Sequence, residues 1–299
     1  MHTGHMQSLR KIWTLVAKSF SAWNEDYAPS MGAALAYYTT FSLAPLLIIV
    51  IALAGMVFGA EAARGEIVGA LRGLVGEEGG RTIEELLLSA SKPESSAVAS
   101  VLGLVTLLIG ATSVFAELQS ALDRIWRAPA IAQPSGVLAL LRARLLSFGF
   151  IIAMGFLLLV SLVVGAALTA AGRWGGTMFP GALAVLQVLN QILSFALTTA
   201  LFAAAYRILP RVRIAWADVW IGAVVTAVLF TIGKYLIGLY LGSAGVSSAF
   251  GAAGSLVVLL VWVYYSAQIF LLGAEFTWLY AHTHGSRRNA SIPKNPVDA

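Results

Sequence analysis

The chain contains no cysteine and very little charge, and both absences limit what it can be. Without cysteine, disulfide bonds and thiolate chemistry are excluded. Charged residues make up 11% of the chain, compared with about 25% in soluble domains, while 59% is hydrophobic and the mean hydropathy is +0.84. The alternating segments of about 10 residues that build membrane β-barrels are absent as well. The composition therefore predicts a membrane protein made of helices.

Recognisable catalytic motifs are also missing. The sequence has no HExxH motif, no nucleophile elbow and no P-loop. Its four histidines, His2, His5, His282 and His284, all lie in or beside the two tails. We therefore expect no enzymatic activity, no metal site and no cofactor. Nucleic acid is excluded as a partner despite the net charge of +5, because no basic, aromatic-interleaved soluble module is present to bind it.

Six long stretches of the chain carry almost no charge. A helix needs roughly 20 apolar residues to cross the hydrocarbon core of a bilayer. Each stretch is long enough, so we predict an all-α, polytopic bundle with transmembrane helices at about 30–59, 97–125, 141–171, 181–209, 216–241 and 254–281. The transmembrane domain then covers 29–282, between an N-terminal segment, 1–28, and a disordered cytoplasmic tail, 283–299.

The basic residues are concentrated on one side of the predicted membrane. Thirteen of the 19 Lys and Arg residues fall in the N-terminal segment, the second loop, the fourth loop and the C-terminal tail. Basic loops stay in the cytoplasm, so we expect both termini to be cytoplasmic in a bacterial inner membrane. The partners that these loops suggest are membrane lipids, in particular anionic headgroups.

The N-terminal segment has the pattern of a helix that lies in the membrane interface. Such helices carry aromatic and aliphatic residues on one face and Lys or Arg elsewhere. Here Arg10, Lys11 and Lys18 lie outside an apolar stripe whose members recur at steps of three or four: Leu9, Ile12, Trp13, Val16, Phe20, Trp23 and Tyr27. An anchor that orients the first span is the simpler interpretation, and a gating or lipid-gripping element is the alternative.

The first extracytoplasmic loop, about 61–95, is the only sizeable one. Its segments IVGALRGLV and TIEELLLSA predict two short amphipathic helices separated at Gly79-Gly80. The loop has seven Glu, but it lacks the D-x-D-x-D-G pattern of a calcium loop. Helix packing is therefore favoured over cation binding.

Polar residues inside the spans are the best functional candidates, because ionisable groups in lipid are costly and usually face inward. The candidates are Glu117, Glu275, Gln268, Tyr265, Asn190, Gln191, Tyr37, Pro45, Arg124, Arg207 and Lys234. Pro45 removes a backbone donor and predicts a kink in the first span. Lys234 is expected near the outer interface, with its ammonium group snorkelling outward. The Gly55-x-x-x-Gly59 and Gly238-x-x-x-Gly242 pairs permit close helix contact, for which ordinary packing is the simplest interpretation.

Glu117 and Glu275 are the centre of this hypothesis. Both are predicted to lie in the cytoplasmic third of the membrane, where they meet each other or a cation such as Arg124, Arg144 or Arg207. An interhelical ion pair that only fixes the bundle is one interpretation. A carboxyl group that exchanges a proton or a cation is the other.

Four segments of the sequence resemble the YihY/BrkB family of bacterial inner-membrane proteins. They are ALAYYTTFSLAPLL, which ends at Leu47, ALDRIW at 121–126, the stretch from YRILPRVRIAW to GLYL at 206–241, and the stretch from SAFGAAGS to FTWLY at 248–280. The resemblance implies six spans with cytoplasmic termini. Family features that fall on this chain are Tyr37, Pro45, Arg124, Tyr206, Pro210, Lys234, Tyr240, Gly273 and Glu275.

Members of this family carry the labels ribonuclease BN, serum-resistance factor or virulence factor, and some are thought to move envelope lipids. Hydrolysis of RNA would need a metal cluster or a His/Lys acid–base pair in a cytoplasmic domain, and the sequence offers neither. A transporter or lipid translocator with a polar intramembrane cavity is the favoured function. A non-transporting structural or interaction protein of the envelope is the alternative, and homo-oligomerisation stays open.

Overall fold

All regular secondary structure is helical in the part of the chain that this computed structural model describes, which is residues 2–59, 113–129, 182–243 and 254–289 with short pieces between 61 and 88. The long helices are α1, His2–Glu25; α2, Ala28–Phe58; α3, residues 113–125; α4, Ala182–Ile208; α5, Trp216–Ser243; and α6, Gly254–Thr283. Described residues between 61 and 69 and between 80 and 88 are helical too. The limits of those two loop helices lie outside the described residues. The all-α class is thus confirmed for the described residues.

Three of these helices are long and apolar enough to cross a membrane, within Val188–Ile208, Trp216–Tyr240 and Leu256–Thr283. They coincide with the predicted fourth, fifth and sixth spans. α2 coincides with the first predicted span and continues as a helix through position 45, so the proline there does not end it. The spans at 97–125 and 141–171 lie largely outside the described residues, so the total of six stays a prediction.

The chain divides into two compact units. The first contains Met1–Ser42, Ser113–Gln133 and Phe202–Ala299, and the second contains Leu43–Thr112 and Pro134–Leu201. α2 and α4 each contribute residues to both units. The contacts described below belong to the first unit unless the second is named.

α1 is amphipathic, but several described residues of its apolar stripe are not covered by the protein. Trp13 is 73% exposed and Phe20 is 59% exposed. α1 packs along α6; Ser19 is buried on α1, and Asp26 is buried directly after its end. Aromatic side chains left uncovered by the protein are what an interfacial helix presents to lipid. Their exposure therefore favours the predicted interfacial position.

α5 and α6 approach closely because each places a threonine over a glycine of the other. A Cβ atom on Gly222 would collide with the side chain of Thr277, and one on Gly273 would collide with Thr226. Each threonine hydroxyl is buried and donates to the carbonyl of the glycine one turn earlier on its own helix, Thr226 to Gly222 at 2.8 Å and Thr277 to Gly273 at 2.6 Å. Small residues allow such close approach of two spans. We call this arrangement the glycine–threonine joint.

Tyr206 ties the end of α4 into the same joint. Its fully buried hydroxyl group donates to the carbonyl oxygen of Phe270 at 2.7 Å and lies 3.0 Å from the hydroxyl of Thr226. Gly238, by contrast, has open space where a Cβ atom would point. Gly222 and Gly273 are therefore the glycines at this helix contact, and neither belongs to the two G-x-x-x-G pairs of the sequence.

We expect Gly273→Ala to reduce stability, because the added methyl group meets Thr226 and the hydroxyl oxygen of Tyr206. Overpacking of this kind costs about 1–3 kcal/mol. The measurement is thermal unfolding of the purified protein in detergent. Gly238→Ala is the matched control and should be neutral or slightly stabilising, since alanine favours a helix. Equal melting temperatures for the two variants would contradict this view of the joint.

Candidate functional site

The segments that the charge count assigned to one side of the membrane meet at one end of the first unit. The loop after α4 is held to α3 by Asp123, whose carboxylate accepts the backbone N–H of Arg211 at 2.7 Å and pairs with its Nε at 3.3 Å. Gln119 adds a hydrogen bond from its side-chain amide to the carbonyl oxygen of Leu209 at 2.9 Å. These contacts join the predicted second and fourth loops.

The beginning of the C-terminal tail is folded onto the same end. Asp218, in the first turn of α5, is buried and accepts the hydroxyl of Ser286 at 2.6 Å and its N–H at 3.2 Å. Arg287 donates to the carbonyl oxygen of Arg213 at 2.7 Å, and its guanidinium lies 5.5 Å from the ring centre of Trp126. The folded region thus extends past 283, where the sequence predicted disorder to begin. Residues 290–299 lie outside the described part.

Glu275 lies at the centre of this end of the unit. It is 1% exposed, and no N–H or hydroxyl group in the described part donates to either of its carboxyl oxygens. It faces a second carboxyl group, that of Asp26, which is 2% exposed at the junction of α1 and α2. Arg127 and Glu25 also act on it electrostatically. Burying a carboxylate is costly without hydrogen bonds or a counter-charge, so the site depends on Arg127.

Arg127 reaches this position through an unusual backbone conformation. It follows α3 with φ +49°, and the helix ends there with hydrogen bonds from Ala128 N–H to the Asp123 carbonyl and from Arg127 N–H to the Arg124 carbonyl. Glycine is the usual residue at such a left-handed helix end. An arginine there is held by the contacts of its side chain, and its guanidinium lies 4.4 Å from the ring centre of Trp278.

Tyr27, the residue that directly follows Asp26, also has a left-handed backbone conformation. Its φ is +58°, at the end of α1, and the guanidinium of Arg124 lies 5.4 Å from its ring centre. Two arginines stacked on aromatic rings therefore accompany the two acidic groups. Such cation–π contacts keep a guanidinium in place in poorly hydrated surroundings. We call Asp26, Glu275 and Arg127 the acidic cluster.

Several predicted residues fall near the acidic cluster without joining it. Gln268 donates from its side-chain amide to the carbonyl oxygen of Pro29 at 3.4 Å, which ties α6 to the start of α2. Tyr265 packs beside Gly233 of α5. Arg207 lies over Trp216, with its guanidinium 5.7 Å from the ring centre. These side chains therefore connect helices.

Other predicted residues lie apart. Glu117 is half-buried and is not among the charged groups that act on Glu275, so its predicted pairing with Glu275 is not found in the described contacts. Tyr37 and Lys234 are exposed. In the second unit, the amides of Asn190 and Gln191 are exposed on α4. The Pro45 side chain and Arg144 lie outside the described residues.

The sequence reasoning missed two members of the acidic cluster, Asp26 and Arg127. Asp26 was not considered as a candidate, and Arg127 was counted only as a basic loop residue. A signal for Asp26 was present, since the pair Glu25-Asp26 ends a segment whose other charged residues are all basic. Arg127 gave no comparable signal, because its position depends on the turn after α3.

A cleft of about 340 Å³ opens at the junction between α1 and α2. It is lined by Asn24, Glu25, Tyr27, Pro29 and Ser30. Within the described residues, no group of three or more His, Asp or Glu side chains is arranged to hold a metal ion.

Comparison with known proteins places the sequence among bacterial membrane proteins. The profile of a family described as virulence factor BrkB matches residues 19–297. The UPF0761 membrane protein of Pseudomonas aeruginosa is 29% identical over 276 residues, which is 90% of this chain and 63% of that protein. A UPF0761 membrane protein of Psychromonas ingrahamii is 29% identical over 81% of this chain and 79% of that one. No solved structure matches the sequence.

These figures also show a difference in length. The chain spans 63% of the Pseudomonas aeruginosa relative and 55% of a Ralstonia nicotianae relative that is 30% identical. Part of each of these longer proteins therefore lies outside the region that aligns with this chain. The family profile, which covers residues 19–297, includes all three residues of the acidic cluster.

We expect Arg127→Gln to lower the free energy of unfolding by about 3–5 kcal/mol, because it leaves a buried acidic pair without its cation. Denaturant unfolding in detergent measures this loss. Adding Glu275→Gln to Arg127→Gln should restore much of the stability, since one of the two carboxyl groups is then removed. Arg211→Gln is the control, with an expected loss below about 1 kcal/mol for an exposed pair. Strictly additive losses in the double variant would contradict the coupling.

Proposed function

The chain belongs to the virulence factor BrkB family of membrane proteins, and we propose that it works in the bacterial inner membrane as a multi-pass transporter or lipid translocator. The observation that carries this proposal is Glu275, a buried carboxyl group inside an apolar span that faces a second carboxyl group rather than a donor. Ionisable residues inside membrane helices commonly mark substrate or proton pathways.

In this proposal Glu275 and Asp26 exchange a proton or a cation during the transport cycle. Arg127 supplies the fixed positive charge that keeps the cluster assembled when no cation is bound. Because Asp26 lies at the junction of α1 and α2, a change in the charge of the pair acts directly on the attachment of α1 to α6. The interfacial helix is then a moving part and not only an anchor.

Two further observations support transport. Asn190 and Gln191 are exposed on a predominantly apolar span in the second unit, and exposed amides in lipid are costly unless they meet water or another polar surface. The uncovered aromatic residues of α1 support contact with lipid. We also propose that Arg211, Arg213 and Arg288, all exposed, contact anionic headgroups on the cytoplasmic side.

The alternative is a structural or interaction protein of the envelope. The glycine–threonine joint favours it, because Gly222, Gly273, Thr226 and Thr277 leave little room for α5 and α6 to slide. In that case the acidic cluster only fixes α1 to the bundle, and Asn190 and Gln191 contact a second copy of the chain. We propose no enzymatic role, since neither the names of the family and its relatives nor the described residues indicate catalysis.

Translocation is tested by reconstituting the purified protein in liposomes with a fluorescent phospholipid and bleaching the outer leaflet with an external quencher. We expect bleaching to extend beyond the outer leaflet with the unmodified chain. Glu275→Gln and Asp26→Asn should each abolish the excess, because they remove an exchangeable carboxyl group. Glu61→Gln, an exposed carboxylate in the first loop, is the control that should retain it.

A result confined to the outer leaflet, for phospholipids and lipid A analogues alike, would exclude spontaneous lipid movement and leave solute transport or the structural role. Excess bleaching that is unchanged by both substitutions would support translocation but show that the acidic cluster is not needed for it. Glu117→Gln, tested in parallel, shows whether Glu117 is needed for translocation. Glu117 is not among the groups that act on Glu275.

The topology can be tested directly because the chain has no cysteine of its own. We expect Glu61→Cys to react with a membrane-impermeant maleimide on intact cells, since the first loop is proposed to be extracytoplasmic. Asn289→Cys should react only after the membrane is permeabilised. Both positions are exposed, so a difference in labelling reports the side of the membrane. The reverse pattern would invert the proposed orientation.

A further inference from the structure

The cleft between α1 and α2 has the size of a site for one small polar group. Its volume of about 340 Å³ is at the lower end of the range of about 300–1,000 Å³ for small-molecule sites. Four of its five lining residues, Asn24, Glu25, Tyr27 and Ser30, offer polar atoms. A lipid headgroup fits such a space, whereas its acyl chains must lie outside.

The cleft continues the uncovered apolar stripe of α1. Residues three, four and seven positions apart lie on one face of a helix, so Trp13, Phe20 and Asn24 are placed in succession along one side, with Tyr27 at its end. Trp13, Phe20 and Tyr27 are all exposed. A lipid whose chains lie along this stripe therefore has its headgroup at the cleft.

The charges around the cleft favour a cation as the terminal group of the ligand. Glu25 lines the cleft, and its Oε1 accepts the hydroxyl of Ser21 at 2.8 Å, which leaves Oε2 to accept from a ligand. Glu25 also acts electrostatically on Glu275, beside Asp26. The carboxylate of Glu25 is thus the negative group at the cleft itself. A ligand with a positive group pairs with it.

We propose that the cleft binds the ethanolamine headgroup of a membrane phospholipid. The ammonium group donates to the carboxylate of Glu25, while the phosphate accepts from the hydroxyl of Ser30 and the amide of Asn24. Arg124, stacked 5.4 Å from the ring centre of Tyr27, adds positive charge beside the phosphate. A choline headgroup has no N–H to donate to Glu25, and a glycerol headgroup has no positive charge to pair with it.

This inference names a substrate class for the proposed function, and it rests on that function only for the step from bound lipid to moved lipid. Binding itself is measured separately, by native mass spectrometry of the purified protein in detergent during titration with phosphatidylethanolamine, phosphatidylcholine and phosphatidylglycerol. We expect phosphatidylethanolamine to bind most tightly. Glu25→Gln should weaken its binding about tenfold, which corresponds to the loss of one charge-assisted hydrogen bond.

Two controls make the binding test specific. Glu61→Gln removes an exposed carboxylate outside the cleft and should leave the preference unchanged. Asn24→Trp fills the cleft but keeps Glu25, and it should also weaken binding of phosphatidylethanolamine. Equal binding of the three lipids, or an unchanged preference in Glu25→Gln, overturns the proposal. Soluble phosphoethanolamine that binds as tightly as the lipid overturns a membrane lipid as the occupant.

The headgroup site and the translocator function can be contradicted independently of each other. Selective binding by the unmodified chain without any excess bleaching would support the headgroup site and contradict the translocator function. Excess bleaching with no headgroup preference would support the translocator function and contradict the headgroup site. Glu275→Gln is expected to bind phosphatidylethanolamine while losing translocation, because Glu275 is buried and does not line the cleft.

Discussion

The glycine–threonine joint between α5 and α6 determines where the acidic cluster can form. Glu275 lies midway in sequence between Gly273 and Thr277, which both face α5. Each residue turns an α-helix by about 100°, so Glu275 points away from the joint, to the side of α6 on which α1 ends and Arg127 arrives. One face of α6 is fixed by tight packing, and the other presents the carboxyl group. The packing of α6 against α5 thereby sets the position and direction of the Glu275 side chain, independently of the charges around it.

The energetics of the acidic cluster bear on whether it is structural or functional. Replacing a buried ion pair by apolar residues of similar size is often neutral or stabilising by about 1–4 kcal/mol. Stability alone therefore does not account for two carboxyl groups and an arginine at the end of an apolar bundle. The left-handed conformation of Arg127 adds a further cost of about 1–3 kcal/mol, although glycine would adopt that backbone without strain. This cost is consistent with the proposed role of the cluster in binding or exchange.

The sequence predicted those parts of the structure that depend on local pattern. Apolar length identified α4, α5 and α6 as spans, the period of three to four identified α1, and the basic residues indicated which segments meet. The pairing of Glu117 with Glu275 was not found, because equal depth in a membrane says nothing about the direction in which two helices face. Asp26 and Arg127 were missed for a related reason: both follow helix ends, where one backbone turn decides the side chain's direction. The glycine–threonine joint was not foreseen, because it alternates glycine and threonine across two helices, whereas a G-x-x-x-G spacing describes one helix.

In the proposed function, the junction after α1 links the lipid surface to the acidic cluster through adjacent residues. Glu25 lines the cleft, whereas Asp26, the next residue, is buried against Glu275. A positive headgroup that pairs with Glu25 reduces the negative charge felt at Glu275, because Glu25 acts on Glu275 directly. Conversely, a change in the charge of the acidic cluster alters how strongly the cleft attracts an ammonium group, since coupling between two sites is reciprocal. Binding at the membrane interface and charge exchange within the bundle are therefore expected to depend on each other, and the left-handed turn at Tyr27 is the point through which both would act on α1.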